Sequence, residues 1–158
     1  MAQHVYNRSA LDNNFHKASI LVVEDKEDHW VLIESALKES LPEVKAVWVD
    51  SAENAYSYLT NCIQEEGGVL PKLMLLDLYL PEPAWELLKT LKKQNSPFIR
   101  MPIVVFSYSS NREDIGDLYT FGGTSYITKP TDYNQWLSYF KTMRSYWWET
   151  VTLPNERQ

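Results

Sequence analysis

The chain has 158 residues, enough for one domain with a substantial core, and its 44% hydrophobic and 23% charged residues are ordinary for a globular protein. The net charge of −6 comes without a basic cluster, which argues against a direct nucleic-acid partner, and no apolar stretch approaches the roughly 20 residues that span a bilayer. A single cysteine, Cys62, excludes an internal disulfide and a cysteine zinc site, and three scattered histidines (His4, His16, His29) suggest solvent-exposed side chains and no metal cage.

Residues 1–17 are polar and patternless and are expected to form a flexible arm; without an apolar signal core there, a cytoplasmic location is expected. The apolar run Ser19-Ile-Leu-Val-Val23 ends in Glu24-Asp25 and has the character of a buried strand. Asp28 to Leu37 follows as an amphipathic helix with Val31, Leu32 and Ala36 on its apolar face, ended by Pro42. Val44 to Val49 is a second strand. Asp50-Ser-Ala-Glu53 has capping-box form and opens a helix through Ala55, Tyr56, Leu59, Cys62 and Ile63, closed by Gly67-Gly68. Leu73-Met-Leu-Leu-Asp77-Leu-Tyr-Leu-Pro81 predicts the central buried strand, with the Asp77 carboxylate at its C-terminal end.

Pro83 suits the first turn of a helix carrying Trp85, Leu87, Leu88 and Leu91, which Asn95-Ser-Pro97 breaks. Ile103-Val-Val-Phe106 is a fourth strand ending in Ser107. Ser110-Asn-Arg-Glu113 is a second capping box, and its short helix contains Gly116. A fifth strand, Thr124 to Thr128, ends in Lys129-Pro130, and Thr131 or Asp132 caps a last helix reaching Trp148. Trp136, Phe140, Met143 and Trp147 recur at i, i+4, i+7 and i+11, a face suited to covering the sheet. Tyr133, Leu137, Tyr139, Tyr146 and Trp148 spread apolar surface beyond that face, which marks the helix and tail as a dimer or kinase-docking surface, with Trp136, Phe140, Trp147 and Trp148 as candidate interface residues.

Strands alternating with helices of this length mean an α/β domain with a parallel sheet covered on both faces. The domain is expected over residues 18–146, with 147–158 as an extension of the last helix and a tail. In open α/β sheets, ligand chemistry collects at the C-terminal edge of the strands. Glu24, Asp25, Asp77, Ser107 and Lys129 all fall there. Unit charges about 4 Å apart repel by roughly 4 kcal/mol at an effective dielectric of 20, so the three acids need a counter-cation. Lys129 supplies one charge and a hard divalent ion with oxygen ligands the rest, Mg²⁺ being the natural choice. A carboxylate so placed is a competent nucleophile towards a phosphoryl group, with Ser107 able to hydrogen-bond one of its oxygens. The inferred product is an aspartyl phosphate on Asp77.

These residues, from Ser19 to about Tyr146, resemble a response-regulator receiver domain. The resemblance makes Glu24 and Asp25 the acidic pair, Asp77 the phosphoacceptor, Ser107 the switch hydroxyl, Lys129 the lysine of the site, and Tyr126 the aromatic switch residue. It implies a five-stranded sheet of order 2-1-3-4-5, phosphoryl transfer from a histidine kinase, signalling by protein contact, and a Mg²⁺ ligand in the backbone carbonyl of Tyr79. The tail Tyr146-Trp-Trp-Glu-Thr-Val-Thr-Leu-Pro154 is similar to that of small receivers that partner phytochrome-type kinases, several of them dimers. Three departures stand out: Pro81-Glu-Pro-Ala-Trp85 lacks the family's glycine and is one residue short, Tyr108 replaces a small residue, and Tyr79 follows two after Asp77. The two tyrosines predict slow phosphorylation by small donors and slow hydrolysis. Two rival classes are a phosphorylation-independent interaction module and an aspartyl-phosphate phosphohydrolase; against the second, Tyr79 stands where a second Asp would serve as acid/base. A flavin carrier is the weakest reading, because Glu24-Asp25-Lys-Glu-Asp28 would repel phosphate.

Overall fold

The computed structural model describes residues 11–82 and 84–154. Beyond residue 18, the described residues form β1 (Ser19–Val23), α1 (Glu27–Ser40), β2 (Lys45–Val49), α2 (Ala52–Gln64), β3 (Leu73–Asp77), α3 (Ala84–Lys92), β4 (Ile103–Ser107), α4 (Arg112–Thr120), β5 (Ser125–Thr128) and α5 (Tyr133–Met143). The strands make one parallel sheet in the order β2-β1-β3-β4-β5. This is the expected doubly wound α/β architecture.

Period-two alternation in the three central strands divides the core. Ile20, Val22, Leu73, Leu75, Val104 and Phe106 face a layer built from α1 and α5, with Ile33, Leu37, Trp136 and Phe140 buried against them. Leu21, Val23, Met74, Leu76, Ile103 and Val105 face α2, α3 and α4, through Leu59, Leu88 and Leu118. Both faces being covered, β1, β3 and β4 are buried at every position, whereas the edge strands β2 and β5 are partly open.

Helix starts follow local hydrogen bonding. At α2 the cap is Ser51, which accepts from the Asn54 N–H, and not Asp50, which opens the expected capping box; at α5 it is Asp132, one of the two expected residues, which accepts from the Gln135 N–H. At α4 the cap is Asn111, which accepts from the Glu113 N–H, and not Ser110. After α4 the chain turns at Gly122 with φ +92°, where a Cβ would also lie 2.9 Å from the Lys92 Cβ. The proposed helix-starting role of Pro83 and the exposure of His4 lie outside the described residues.

Three expectations are corrected. The apolar face of α1 consists of Trp30, Ile33, Ala36 and Leu37; Val31 and Leu32 are exposed. Within the expected arm, residues 1–10 lie outside the described residues, and residues 11–15 form a short helix. Its Asn14 is buried, donates to the carbonyls of Trp148 and Val151, and accepts from the Leu153 N–H. The last helix does not stay α-helical to Trp148, because Arg144–Trp148 is a π-helical segment. The wider turn shifts the inward position from Trp147 to Trp148, which is fully buried beside Leu153. Three of the four residues assigned to an interface, Trp136, Phe140 and Trp148, are therefore interior, and only Trp147 is partly exposed. Trp148 and Leu153 pack in the same core cluster as Trp136 and Phe140.

Candidate functional site

The strand order reverses direction between β1 and β3, and there the sequence places its acids. Glu24 and Asp25 leave the end of β1 and Asp77 is the last residue of β3. Glu24 is pinned at its backbone: its N–H donates to the Val49 carbonyl at 3.1 Å, and its carbonyl accepts from Trp48 Nε1 at 2.7 Å. Trp48 in turn stacks on Trp30 of α1, with ring centroids 5.7 Å apart. An indole on the edge strand thus anchors the acidic loop, a role the sequence alone did not suggest.

Lys129, at the end of β5, is itself buried and reaches across to these acids. Its Nζ donates to Glu24 Oε2 at 2.7 Å and to Asp77 Oδ2 at 3.0 Å, with both carboxylate side chains at 6% exposure or less. Burial is the largest influence on the Glu24 carboxyl and, with the charge of Asp77, pushes it up to about 7, against the hydrogen bonds from Lys129 and the Lys26 N–H. The other Asp77 oxygen, Oδ1, accepts from the Tyr79 N–H at 3.0 Å. Ser107 is buried at the end of β4, where its Oγ accepts from the Ser109 N–H.

Glu24, Asp25 and Asp77 each offer an oxygen within 4.8 Å of the others. Asp25 Oδ1 is buried and lacks a hydrogen-bond partner. A buried carboxylate oxygen without a donor, beside two further carboxylates, fits a hard divalent cation with oxygen ligands.

Two of the surrounding tyrosines tie neighbouring loops and helix starts together by hydrogen bonds. Tyr79 is largely exposed, and its hydroxyl donates to Asp114 Oδ2 at 2.9 Å, linking the loop after β3 to the first turn of α4. Asp114 also accepts from Ser109 Oγ. Tyr126 is half-buried and donates to the Ser109 carbonyl at 2.8 Å. The Tyr108 ring lies 5.1 Å from Lys129 Nζ, so it flanks the lysine.

His29, expected to be exposed, has a side chain only 18% exposed and belongs to the site. Its Nδ1 is 2.8 Å from Lys129 Nζ and 3.6 Å from Glu24 Oε1. Burial first, and then the charge of Lys129, hold the imidazole below its ordinary value, while Asp28 and Asp77 pull the other way. The signal was present: His29 lies four residues before Ile33 on the true inner face of α1.

The Response regulator receiver domain family matches residues 20–141. Response regulator Rcp1 of Synechocystis sp. is 31% identical over 135 residues, which cover 85% of this chain and 92% of the relative. The solved structure of the phosphorylated cyanobacterial phytochrome response regulator RcpA is 33% identical, with a TM-score of 0.77 over 87% of this chain and 99% of that one. The Mn²⁺-bound form of Rcp1 is 32% identical, with a TM-score of 0.75 and the same coverage. With the acids, hydroxyl and lysine gathered at one sheet edge, the chain belongs to the response-regulator receiver family, proteins of two-component signalling that are phosphorylated on an aspartate.

Proposed function

We propose that Asp77 is the phosphoacceptor and that a histidine kinase, of phytochrome type, is the donor. The observation that carries this reading is the Lys129 ammonium 3.0 Å from Asp77 Oδ2 at the switch point of the sheet, with Glu24 and Asp25 alongside. The Asp77 carboxylate attacks phosphorus; an Asp77 O–P bond forms as the P–N bond to the donor imidazole breaks, and the electron pair leaves on that nitrogen. Lys129 compensates the charge on the transferring oxygens, and Ser107 donates its hydroxyl to one of them. Glu24, Asp25, Asp77 and the Tyr79 backbone carbonyl would hold Mg²⁺, which when bound neutralises phosphoryl oxygens. Tyr126 and Ser107 together report the modified state to the α4–β5 face. The protein also catalyses its own slow dephosphorylation and acts in the cytoplasm; among the described residues no helix is long and apolar enough to cross a membrane.

The test is phosphoryl incorporation from acetyl phosphate and from a phytochrome-type kinase, with and without Mg²⁺. Mg²⁺-dependent label that is absent in Asp77→Asn is expected. Tyr79→Ala should accept acetyl phosphate and lose its label several-fold faster, because the ring held to Asp114 restricts access beside the site. A folded protein that takes no label from either donor would instead support the phosphorylation-independent module.

We further propose a homodimer through β5 and the outer face of α5. A groove of about 720 Å³ runs there, lined by Tyr126, Ile127, Tyr139, Tyr146 and Trp147 among others. The edge strand leaves its outer backbone groups without a neighbouring strand, and Tyr146 is half exposed. Cutting the chain after Arg144 would remove Trp148 and Leu153 from the core, so surface changes are the proper probe. Sedimentation equilibrium should give a dimer for the wild type and a monomer for Tyr139→Glu with Trp147→Glu; a wild-type monomer at all concentrations would refute it.

A further inference from the structure

A lysine ammonium has three N–H donors and no acceptor. All three of Lys129's have a partner: Glu24 Oε2 at 2.7 Å, Asp77 Oδ2 at 3.0 Å and His29 Nδ1 at 2.8 Å. Because the ammonium can only donate, His29 Nδ1 must present its lone pair, and the ring hydrogen sits on Nε2. Two rings close the remaining sides of the ammonium. The centroids of Phe106 and Tyr108 lie 5.2 and 5.1 Å from Nζ. Tyr108 packs edge-to-face on His29, with centroids 5.9 Å apart, which braces the imidazole from the solvent side.

The three partners are not equivalent. Glu24 and Asp77 are carboxylates at the ends of two buried strands, whereas His29 is a neutral, partly exposed ring on α1. Hydrogen bonds to a charged acceptor are the stronger ones, so the His29 bond is the one Lys129 gives up most readily. A lysine stem of four carbons is flexible. With only Glu24 and Asp77 as acceptors, the third donor would turn to water and the ammonium could swing.

We propose that His29 is a positioning residue: through Nδ1 it holds Lys129 on Asp77 and keeps one donor ready, which transfers to an oxygen of the incoming phosphoryl group. The inference rests on the phosphoacceptor reading of Asp77.

Two variants test it. His29→Phe keeps a ring and removes the acceptor, while His29→Asn puts an amide oxygen near the place of Nδ1. Nitrogen-15 NMR of the unphosphorylated wild type should show an unprotonated, hydrogen-bonded Nδ1 and a Lys129 ammonium signal protected from exchange. His29→Phe should lose that protection and take up label about tenfold more slowly, the scale of one hydrogen bond to a charged group. His29→Asn should recover part of both. A protonated Nδ1 in the wild type, an unchanged Lys129 signal in His29→Phe, or equal slowing in both variants would overturn the proposal. If the wild type takes no label, the phosphoacceptor reading fails while the ammonium signal still decides: its loss in the Phe variant and return in the Asn variant support the role of His29, and its persistence refutes it.

Discussion

Replacing Lys129 with methionine should destabilise the protein by about 3–5 kcal/mol in the absence of divalent cation, because a buried pair broken on one side leaves uncompensated charge. The effect is large here because one ammonium serves two carboxylates, Glu24 and Asp77, both nearly inaccessible to water. In a domain of this size that corresponds to a fall of the order of 10 °C in melting temperature. Saturating Mg²⁺ should return much of the loss, since a divalent ion at Glu24, Asp25 and Asp77 would substitute for the missing charge. Phosphoryl uptake should fall by at least about a hundredfold even with Mg²⁺ present, the cost of one electrostatic donor at a transferring group. Asp77→Asn should behave oppositely in stability, leaving it level or higher, because it relieves the repulsion between Asp77 and Glu24 while Lys129 keeps a carboxylate. Thermal melts of the two variants with and without Mg²⁺ make the comparison. A Lys129→Met melting temperature equal to wild type in metal-free buffer would contradict this account of the site.

Trp148→Ala should cost about 3–5 kcal/mol, and Trp147→Ala less than about 1 kcal/mol. The contrast follows from the π-helical segment Arg144–Trp148, which turns Trp148 into the core formed with Phe140, Met143 and Leu153 and leaves Trp147 partly at the surface. Trp148→Phe should be milder than the alanine change, because Trp148 Nε1 is buried without a hydrogen-bond partner and its removal costs nothing in hydrogen bonding. Asn14 belongs to the same unit: its three hydrogen bonds hold the tail at Trp148, Val151 and Leu153. Denaturant unfolding of the two tryptophan variants decides the register. A larger loss for Trp147→Ala than for Trp148→Ala would mean that α5 continues as an ordinary helix with Trp147 inward, and equal losses would contradict the contrast.

How far the sequence could be read depends on which interactions are local. The central strands were legible because β1, β3 and β4 are buried on both faces and so form unbroken apolar runs, each stopped by its functional residue. The cap at Asp132 was legible because a cap bonds to a backbone amide two or three residues away, whereas at α2 and α4 the cap lies one residue after the first residue of the expected capping box. The inner face of α1 was misread: Val31 and Leu32 are as apolar as Ile33, and composition does not say which of two adjacent stripes meets the sheet. A face drawn through Ile33 and Leu37 extends back to His29, which reading the three scattered histidines together as solvent-exposed overlooks. The tryptophan register failed for a related reason, because a 3.6-residue period was assumed through a segment that widens by one residue in its last turn.

By itself the sequence determined the alternation of strands and helices, the buried sheet, and the gathering of Glu24, Asp25, Asp77, Ser107 and Lys129 at one edge, because strand ends in a parallel sheet must all lie on the same side. Only the tertiary structure decided who touches whom there. Lys129 meets Glu24 across 105 residues and His29 across 100, and Asn14 meets Leu153 across 139. Such contacts depend on how α1 and α5 rotate against the sheet and on one widened helical turn, and packing of the whole core sets both.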